Sequence, residues 1–347
     1  MGAFARFGNE LYTGKRSYDF VGKRKIWYTI AIVAVLLSIL IPVVKGGFNF
    51  GIEFRGGSQF QIADVKSTEQ SLAEDAVASV VPGATTHVTV VGGDSVRVQT
   101  DQLENDKVTQ QVSAALAEAY GVEQADITSS FIGPSWGQDV SKQAIVGLVV
   151  FLILAAILMA LYFRTWKMSA AALLSLVHDL IITAGVYAAT GWEITPAAMI
   201  GFLTILGFSL YDTVVVFDKI RENTTLDADG AARTFGESVN LAVNQTLVRS
   251  INTGVVAALP VAAILFFGAF VLGADTLRDI SLALLVGILV GTYSTIFVAA
   301  PLYANFRHNE PRIAKHDKRV LQARERAHGS TDDADGERPE ATAPLAR

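Results

Sequence analysis

Ionisable and hydroxyl-bearing side chains stand in this sequence where an apolar helix has no ordinary use for them. Between Gly207 and Asn223 it reads GFSLYDTVVVFDKIREN: an apolar stretch interrupted by Asp212, flanked by hydroxyls at Ser209 and Thr213, and ending in Asp218, Lys219, Arg221, Glu222 and Asn223. A charged group near a bilayer centre costs roughly 2.5–3.5 kcal/mol even on insertion scales, so its presence there points to function by default. A second polar run, NQTLVRSINT at 244–253, places Gln245, Thr246, Asn252 and Thr253 at offsets of −4, −3, +3 and +4 from Arg249. Those offsets gather five polar side chains on one helical face. His178 and Asp179 fall in the middle of a third apolar run. Adjacent helical residues point about 100° apart, so imidazole and carboxylate are expected to face Asp212, Arg249 or a polar seam rather than each other.

Asp212 lies five residues before the end of its apolar run at Phe217, and Arg249 a comparable distance after the start of its own. Antiparallel neighbours would hold the two charges at one depth, as in a membrane ion pair or a proton relay. The plain alternative is a static pair that locks two helices, with His178 and Asp179 bonded to backbone and hydroxyls as packing glue.

The whole chain agrees with a membrane setting. Hydrophobic residues make up 51% and charged residues 18%, with a mean hydropathy of +0.39, against the ~25% charged residues of an ordinary soluble domain. No cysteine is present, which excludes disulfides, thiolate metal sites, iron-sulfur clusters and thiol nucleophiles. There is no GxxxxGK[ST], no HExxH and no GxGxxG after a strand, so nucleotide hydrolysis and zinc proteolysis lack support. We read the chain as a non-enzyme without a cofactor or metal.

Six apolar runs are long enough to cross a ~30 Å hydrocarbon layer: 26–44, 142–163, 168–189, 196–217, 246–267 and 280–303. Lys23, Arg24 and Lys25 precede the first, which exceeds the h-region of a signal peptide and reads as an anchor. Threading the spans from a cytoplasmic N-terminal segment, 1–25, puts Arg164, Lys167, Lys219, Arg221, Arg233 and the basic cluster from Arg307 to Arg319 on the inner side. Both termini are then cytoplasmic and residues 46–139 extracytoplasmic. In that region strands at 59–62, 87–91, 95–100 and 126–131 alternate with helices at 68–81 and 106–120, and the turn Gly92-Gly93-Asp94 joins two strands. The order β-α-β-β-α-β is the split arrangement of ferredoxin-like domains. The expected fold class is therefore an α-helical polytopic membrane protein with one extracytoplasmic α/β domain between helices 1 and 2. The tail, 304–347, is basic and then acidic; disorder is expected beyond Gly329, and the basic part reads as a solvated helix rather than a lipid or ribosomal RNA contact. Gly287 and Gly291 form a GxxxG in the sixth span, and Gly201 and Gly207 sit on the fourth, as tight packing would require.

Five stretches carry a family resemblance: GIEFRGG at 51–57, FIGPSWGQDV at 131–140, His178-Asp179, SLYDTVVVFDKIREN at 209–223 and NQTLVRS at 244–250. In this order and architecture the chain resembles the SecF family of the bacterial SecD-SecF protein-export complex, within the RND transporter superfamily. The resemblance implies an auxiliary of the SecYEG channel in the cytoplasmic membrane that uses the proton-motive force to help move unfolded polypeptide, with SecD as partner. It implies that Asp212 is a protonatable carboxylate, Arg249 its companion, and protons the coupling ion. It further implies hinges at Gly56, Gly57, Gly133, Pro134 and Gly137, between the domain and its spans. No nucleic-acid partner is expected. Rival readings are a non-transporting translocon scaffold and half of a small-molecule or lipid exporter.

Overall fold

The structure, a computed structural model, describes residues 3–91, 94–230, 233–271 and 274–336. Six helices in it are long and apolar enough to cross a membrane. They are α2 (Arg24–Lys45), α6 (Pro134–Phe163), α7 (Trp166–Thr190), α8 (Pro196–Gly230), α9 (Phe235–Phe266) and α10 (Asp275–Ser294); α10 continues through a π-helical turn, Thr295–Ala299, into α11 (Ala300–Arg307). Hydropathy located these helices but underestimated their length, because α8 and α9 run on past the apolar stretch as polar helices. A capping box starts α9: Thr234 and Glu237 bond each other's backbone N–H groups.

Helices α8 and α10 pack on each other, with α9 against both and α7 alongside. Small residues decide where this is possible. A Cβ at Gly201 would lie 2.6 Å from Ala283 Cβ, and one at Gly287 would collide with Ile205. Gly185 of α7 likewise leaves room for Ser38 of α2. Gly207 differs from the expectation, since nothing lies near its missing side chain and it is exposed. Outward faces of α2 and α6 carry Leu36, Val43, Leu154 and Leu161 in the open, the surface that lipid or a partner helix covers.

The soluble part follows the expected element order, with bounds within two residues of the sequence reading: β1 (Gly57–Ile62), α4 (Gln70–Val80), β2 (Thr86–Val91), β3 (Ser95–Thr100), α5 (Asp106–Tyr120) and β4 (Ile127–Ile132). Its sheet has the order β2-β3-β1-β4 with every neighbouring pair antiparallel. Phe60, Val96 and Val98 meet Val77, Val112 and Leu116 of the two helices in one core. The Asn105 side chain caps α5 by accepting from Val108 N, and Gly121 ends it in the left-handed region. Gly92 and Gly93 of the expected turn lie outside the described residues; Val91 and Ser95 beside them are paired.

At both ends the chain forms helices that pack on the bundle. An N-terminal helix, α1 (Ala3–Tyr12), seats Leu11 in the bundle core. Asn240 and Asn244 of α9 then fasten the following strand of chain by accepting from Phe20 N and Tyr18 N, both at 2.8 Å. The tail is helical as α12 (Pro311–Gly336), contrary to the disorder expected from Gly329 onward, while 337–347 lie outside the described residues. Ile313 and Val320, seven residues apart on one face, are buried, and Arg324 makes a paired contact with Glu237 at 2.7 Å. These anchors supply what composition alone did not indicate.

The domain docks on the loop between α7 and α8 through polar groups withdrawn from water. Glu193 accepts from Arg97 at 3.3 Å and from Gln99 at 2.6 Å, both on β3. Backbone bonds add Gly51 N to Ile194 O at 3.0 Å and Ile194 N to Asn49 O at 2.7 Å. A short helix, α3 (Ile52–Arg55), brings Glu53 against the same cluster. The expected hinge glycines have steric duties here. Gly56 and Gly57 sit at φ 79° and 139°, in the region that favours glycine. A Cβ at Gly137 would be 2.6 Å from Phe54 O, so α6 lies directly on the backbone of α3. Pro134 opens α6 at its first turn and Gly133 precedes it in an extended conformation.

Two predictions follow from this packing. Gly201→Ala is expected to lower the thermal midpoint of the purified protein, since overpacking costs about 1–3 kcal/mol, whereas Gly207→Ala leaves it level or higher; equal midpoints would contradict the contact. The second concerns Glu53, whose carboxyl is pushed above the usual range first by burial, then by the Glu193 and Asp279 carboxylates, against its own backbone hydrogen bond and Arg97. A raised acid stabilises the docked state below its ordinary pKa and loses that contribution as pH rises through the raised value. Spin labels on cysteines introduced at Ser129 and Thr190 should report a narrower distance distribution at low pH than at neutral pH. Glu53→Gln should abolish the difference.

Candidate functional site

Four helices converge on one polar seam inside the bundle. Asp179 of α7 is completely buried: its Oδ2 accepts from Ser209 Oγ of α8 at 2.6 Å, and its Oδ1 meets His178 Nδ1 at 3.1 Å. Asp212, one turn beyond Ser209 and 5% exposed, accepts through Oδ1 from Ser250 Oγ of α9 at 2.9 Å. Thr213 Oγ1 and Thr295 Oγ1 lie 3.1 Å apart, joining α8 to the π-helical turn after α10. Gly291 makes the approach possible, because a Cβ there would stand 3.1 Å from Ser209 Cβ and 3.7 Å from Asp179 Oδ2.

The arrangement corrects two expectations. His178 and Asp179 do touch, since both side chains belong to the buried side of α7 and rotate toward each other despite the angular step along the helix. Asp212 and Arg249 form no ion pair among the described residues. Ser250, the next residue along, turns into the seam instead, and the step of one residue leaves Arg249 exposed, acting on Asp212 only as a nearby charge. The polar set around Arg249 disperses as well. Gln245 accepts from Asn223 Nδ2 at 2.9 Å and donates to Tyr12 O at 3.1 Å, tying α8, α9 and α1. Thr246 bonds back to Ala242 O at 2.9 Å, Thr253 is half-buried and Asn252 is exposed.

Sequence reasoning missed Ser250, Ser175, Tyr293 and Thr295. Their signal was slight: a lone hydroxyl in an apolar helix reads as packing. Among the described residues, His178 Nε2, Asp212 Oδ2, Ser175 Oγ and Tyr293 OH are buried without a hydrogen-bond partner, and the His178 and Tyr293 ring centres are 6.4 Å apart. The seam therefore combines two carboxylates and an imidazole with unused hydrogen-bonding capacity on one oxygen and one nitrogen. Such groups can accept and release a proton, and the hydroxyls of Ser209, Ser250, Thr213 and Thr295 can reorient to follow it.

Residues 111–309 match the family "Protein export membrane protein SecD/SecF, C-terminal", and residues 43–63 match the "SecD/SecF GG Motif". Protein translocase subunit SecF of Streptomyces coelicolor is 42% identical over 99% of this chain and 90% of its own length. The SecF of Mycobacterium tuberculosis strain H37Rv is 40% identical over 92% of this chain and 73% of its own. The crystal structure of SecDF, described as a translocon-associated membrane protein, from Thermus thermophilus superposes with a TM-score of 0.73 at 29% identity. That match covers 85% of this chain and 39% of the larger SecDF. With motifs in family order, a bundle of the same shape and a family match across more than half its length, the chain belongs to the SecD/SecF family of protein-export membrane proteins, on its SecF side.

Proposed function

We propose that the chain is an auxiliary subunit of the bacterial Sec translocase, set in the cytoplasmic membrane, where it couples the proton-motive force to late steps of protein translocation. Both termini would face the cytoplasm and the α/β domain the outer side, as the basic residues of the short loops require. SecD is the expected partner, since SecD and SecF sequences occur fused in the Thermus protein whose structure this chain resembles over two fifths of its length. SecYEG and the emerging unfolded polypeptide complete the assembly.

The observation that carries this reading is Asp212: a buried carboxylate with one oxygen bonded to Ser250 and the other unengaged. Protonation at Oδ2 removes the charge that α8 otherwise holds among apolar helices, and weakens the hold on Ser250 of α9. One charge crossing 100 mV releases about 2.3 kcal/mol, which shifts a two-state helix arrangement by roughly fiftyfold. Asp179, His178 and Ser209 form the neighbouring step on α7 and α8. Arg249 has no ion pair among the described residues and is exposed, so that any counter-group on the partner would have to reach it from outside this bundle. Both the relay and the scaffold readings pictured an Asp212–Arg249 contact; among the described residues Asp212 is held by Ser250 instead, and the relay reading now rests on the free Oδ2. The hinge residues and the docked domain would convert helix movement into a changed grip on substrate.

The test is proton conductance and release of exported protein in membranes carrying this chain with its SecD. Asp212→Asn is expected to insert at normal abundance while both activities fall by at least about tenfold, the scale of a positioned proton-transfer group. The exchange Asp212→Arg with Arg249→Asp should not restore them. Wild-type behaviour in either variant would leave the intramembrane charges with a structural role only.

A further inference from the structure

At the basic end of the bundle α12 folds back over the helices and borders a half-open cavity of about 640 Å³, within the size range of small-ligand sites. Its floor is apolar and buried: Phe163, Met168, Phe235, Tyr303 and Ile313. Its rim is cationic. Arg312, Lys315 and Arg319 recur along one face of α12, and Arg221 reaches in from α8.

Among the described residues these four cations make no ion pair, and the neighbouring carboxylates are already engaged. Glu310 holds Arg307 at 2.9 Å and Lys167 at 3.0 Å, Glu237 holds Arg324, and Asp317 accepts from Phe235 N at 2.7 Å. Four exposed cations bordering one cavity, with no carboxylate bonded to them among the described residues, make a positive patch that attracts an anion. Depth identifies the kind of anion. The turn beside the cavity exposes Tyr162 and Trp166, the latter by 71%, and such aromatics settle at the headgroup level of a bilayer. Thr165 of that turn lines the cavity itself.

We propose that this cavity seats the phosphodiester headgroup of an anionic phospholipid. Arg312, Lys315, Arg319 and Arg221 bind the phosphate, and the aromatic floor meets the glycerol backbone. Basic pockets beside membrane-spanning helices recognise headgroups in this way. Bound there, the lipid ties the tail helix to α8, the helix that carries Asp212. An RNA strand fits less well, because the cations border a cavity with an apolar floor and no exposed aromatic platform for stacked bases stands among them.

The test uses the full chain in detergent, titrated with dioleoylphosphatidylglycerol or dioleoylphosphatidylcholine and read by native mass spectrometry and thermal midpoint. Phosphatidylglycerol is expected to be retained and to raise the midpoint, with phosphatidylcholine weaker by roughly tenfold or more. The triple variant Arg312→Gln, Lys315→Gln, Arg319→Gln should lose that preference while keeping its lipid-free midpoint. A variant matched in charge but away from the cavity, Lys15→Gln, Lys318→Gln, Arg326→Gln, should retain it. Equal loss in both variants would reduce the effect to general surface charge and overturn the site. Competition by inorganic phosphate as effective as by the lipid would assign the cavity to a soluble anion. Displacement of the lipid by a short single-stranded RNA at lower concentration would assign it to nucleic acid.

Discussion

Two carboxylates in this bundle, Asp179 and Asp212, are held by hydroxyl groups and an imidazole, and among the described residues no lysine or arginine is bonded to either. A serine hydroxyl satisfies one lone pair and leaves the charge uncompensated, so burial of Asp179 and Asp212 is tolerable only where several dipoles can reach them. Short side chains have short reach. Ser209, Ser250, Thr213 and Thr295 contribute only because α7, α8, α9 and the continuation of α10 approach closely, and that approach requires Gly201, Gly287 and Gly291 on the facing surfaces. Packing and chemistry are one constraint here, since a larger residue at those glycines would separate the hydroxyls from the acids.

The same logic explains what the sequence revealed and what it withheld. Apolar runs of adequate length are dictated by the bilayer, so the six crossing helices were legible, as were the alternating strands and amphipathic helices of the soluble part. A carboxylate in such a run is conspicuous for its cost, which is why Asp179 and Asp212 stood out. Which side chain bonds which depends on the rotation of each helix about its own axis, and a single residue changes that by about 100°. Ser250 and Arg249 differ by one position, and the fold turned the inconspicuous one inward. The contact between His178 and Asp179 depends on rotamers, about which residue type and spacing are silent. The basic part of the tail was legible as a helix, but its packing on the bundle was not, although the spacing of Ile313 and Val320 carried that signature. Residues 3–12 carried a similar mark in Phe7 and Leu11, both now set against α9 and its neighbours.

At its two ends the bundle is closed by different physics. On the basic side, α1, α12 and the polar extensions of α8 and α9 form a collar fastened by asparagine side chains and a partly exposed ion pair, the kind of contact that adjusts readily to salt and ligands. On the other side, Arg97, Gln99 and Glu193 meet with little access to water. Removing one partner from such a cluster strands the other, so it specifies a single docked position more firmly than the collar does.

The close approach of α6 to α3 at Gly137 has a mechanical consequence. The chain enters the soluble domain through α3 and leaves it through α6, and the two connectors touch backbone to backbone. They behave as a single stalk. A pull on the sheet is therefore shared by both strands of chain in shear, and a sideways displacement of the domain becomes torque on α2 and α6 together instead of bending one linker alone.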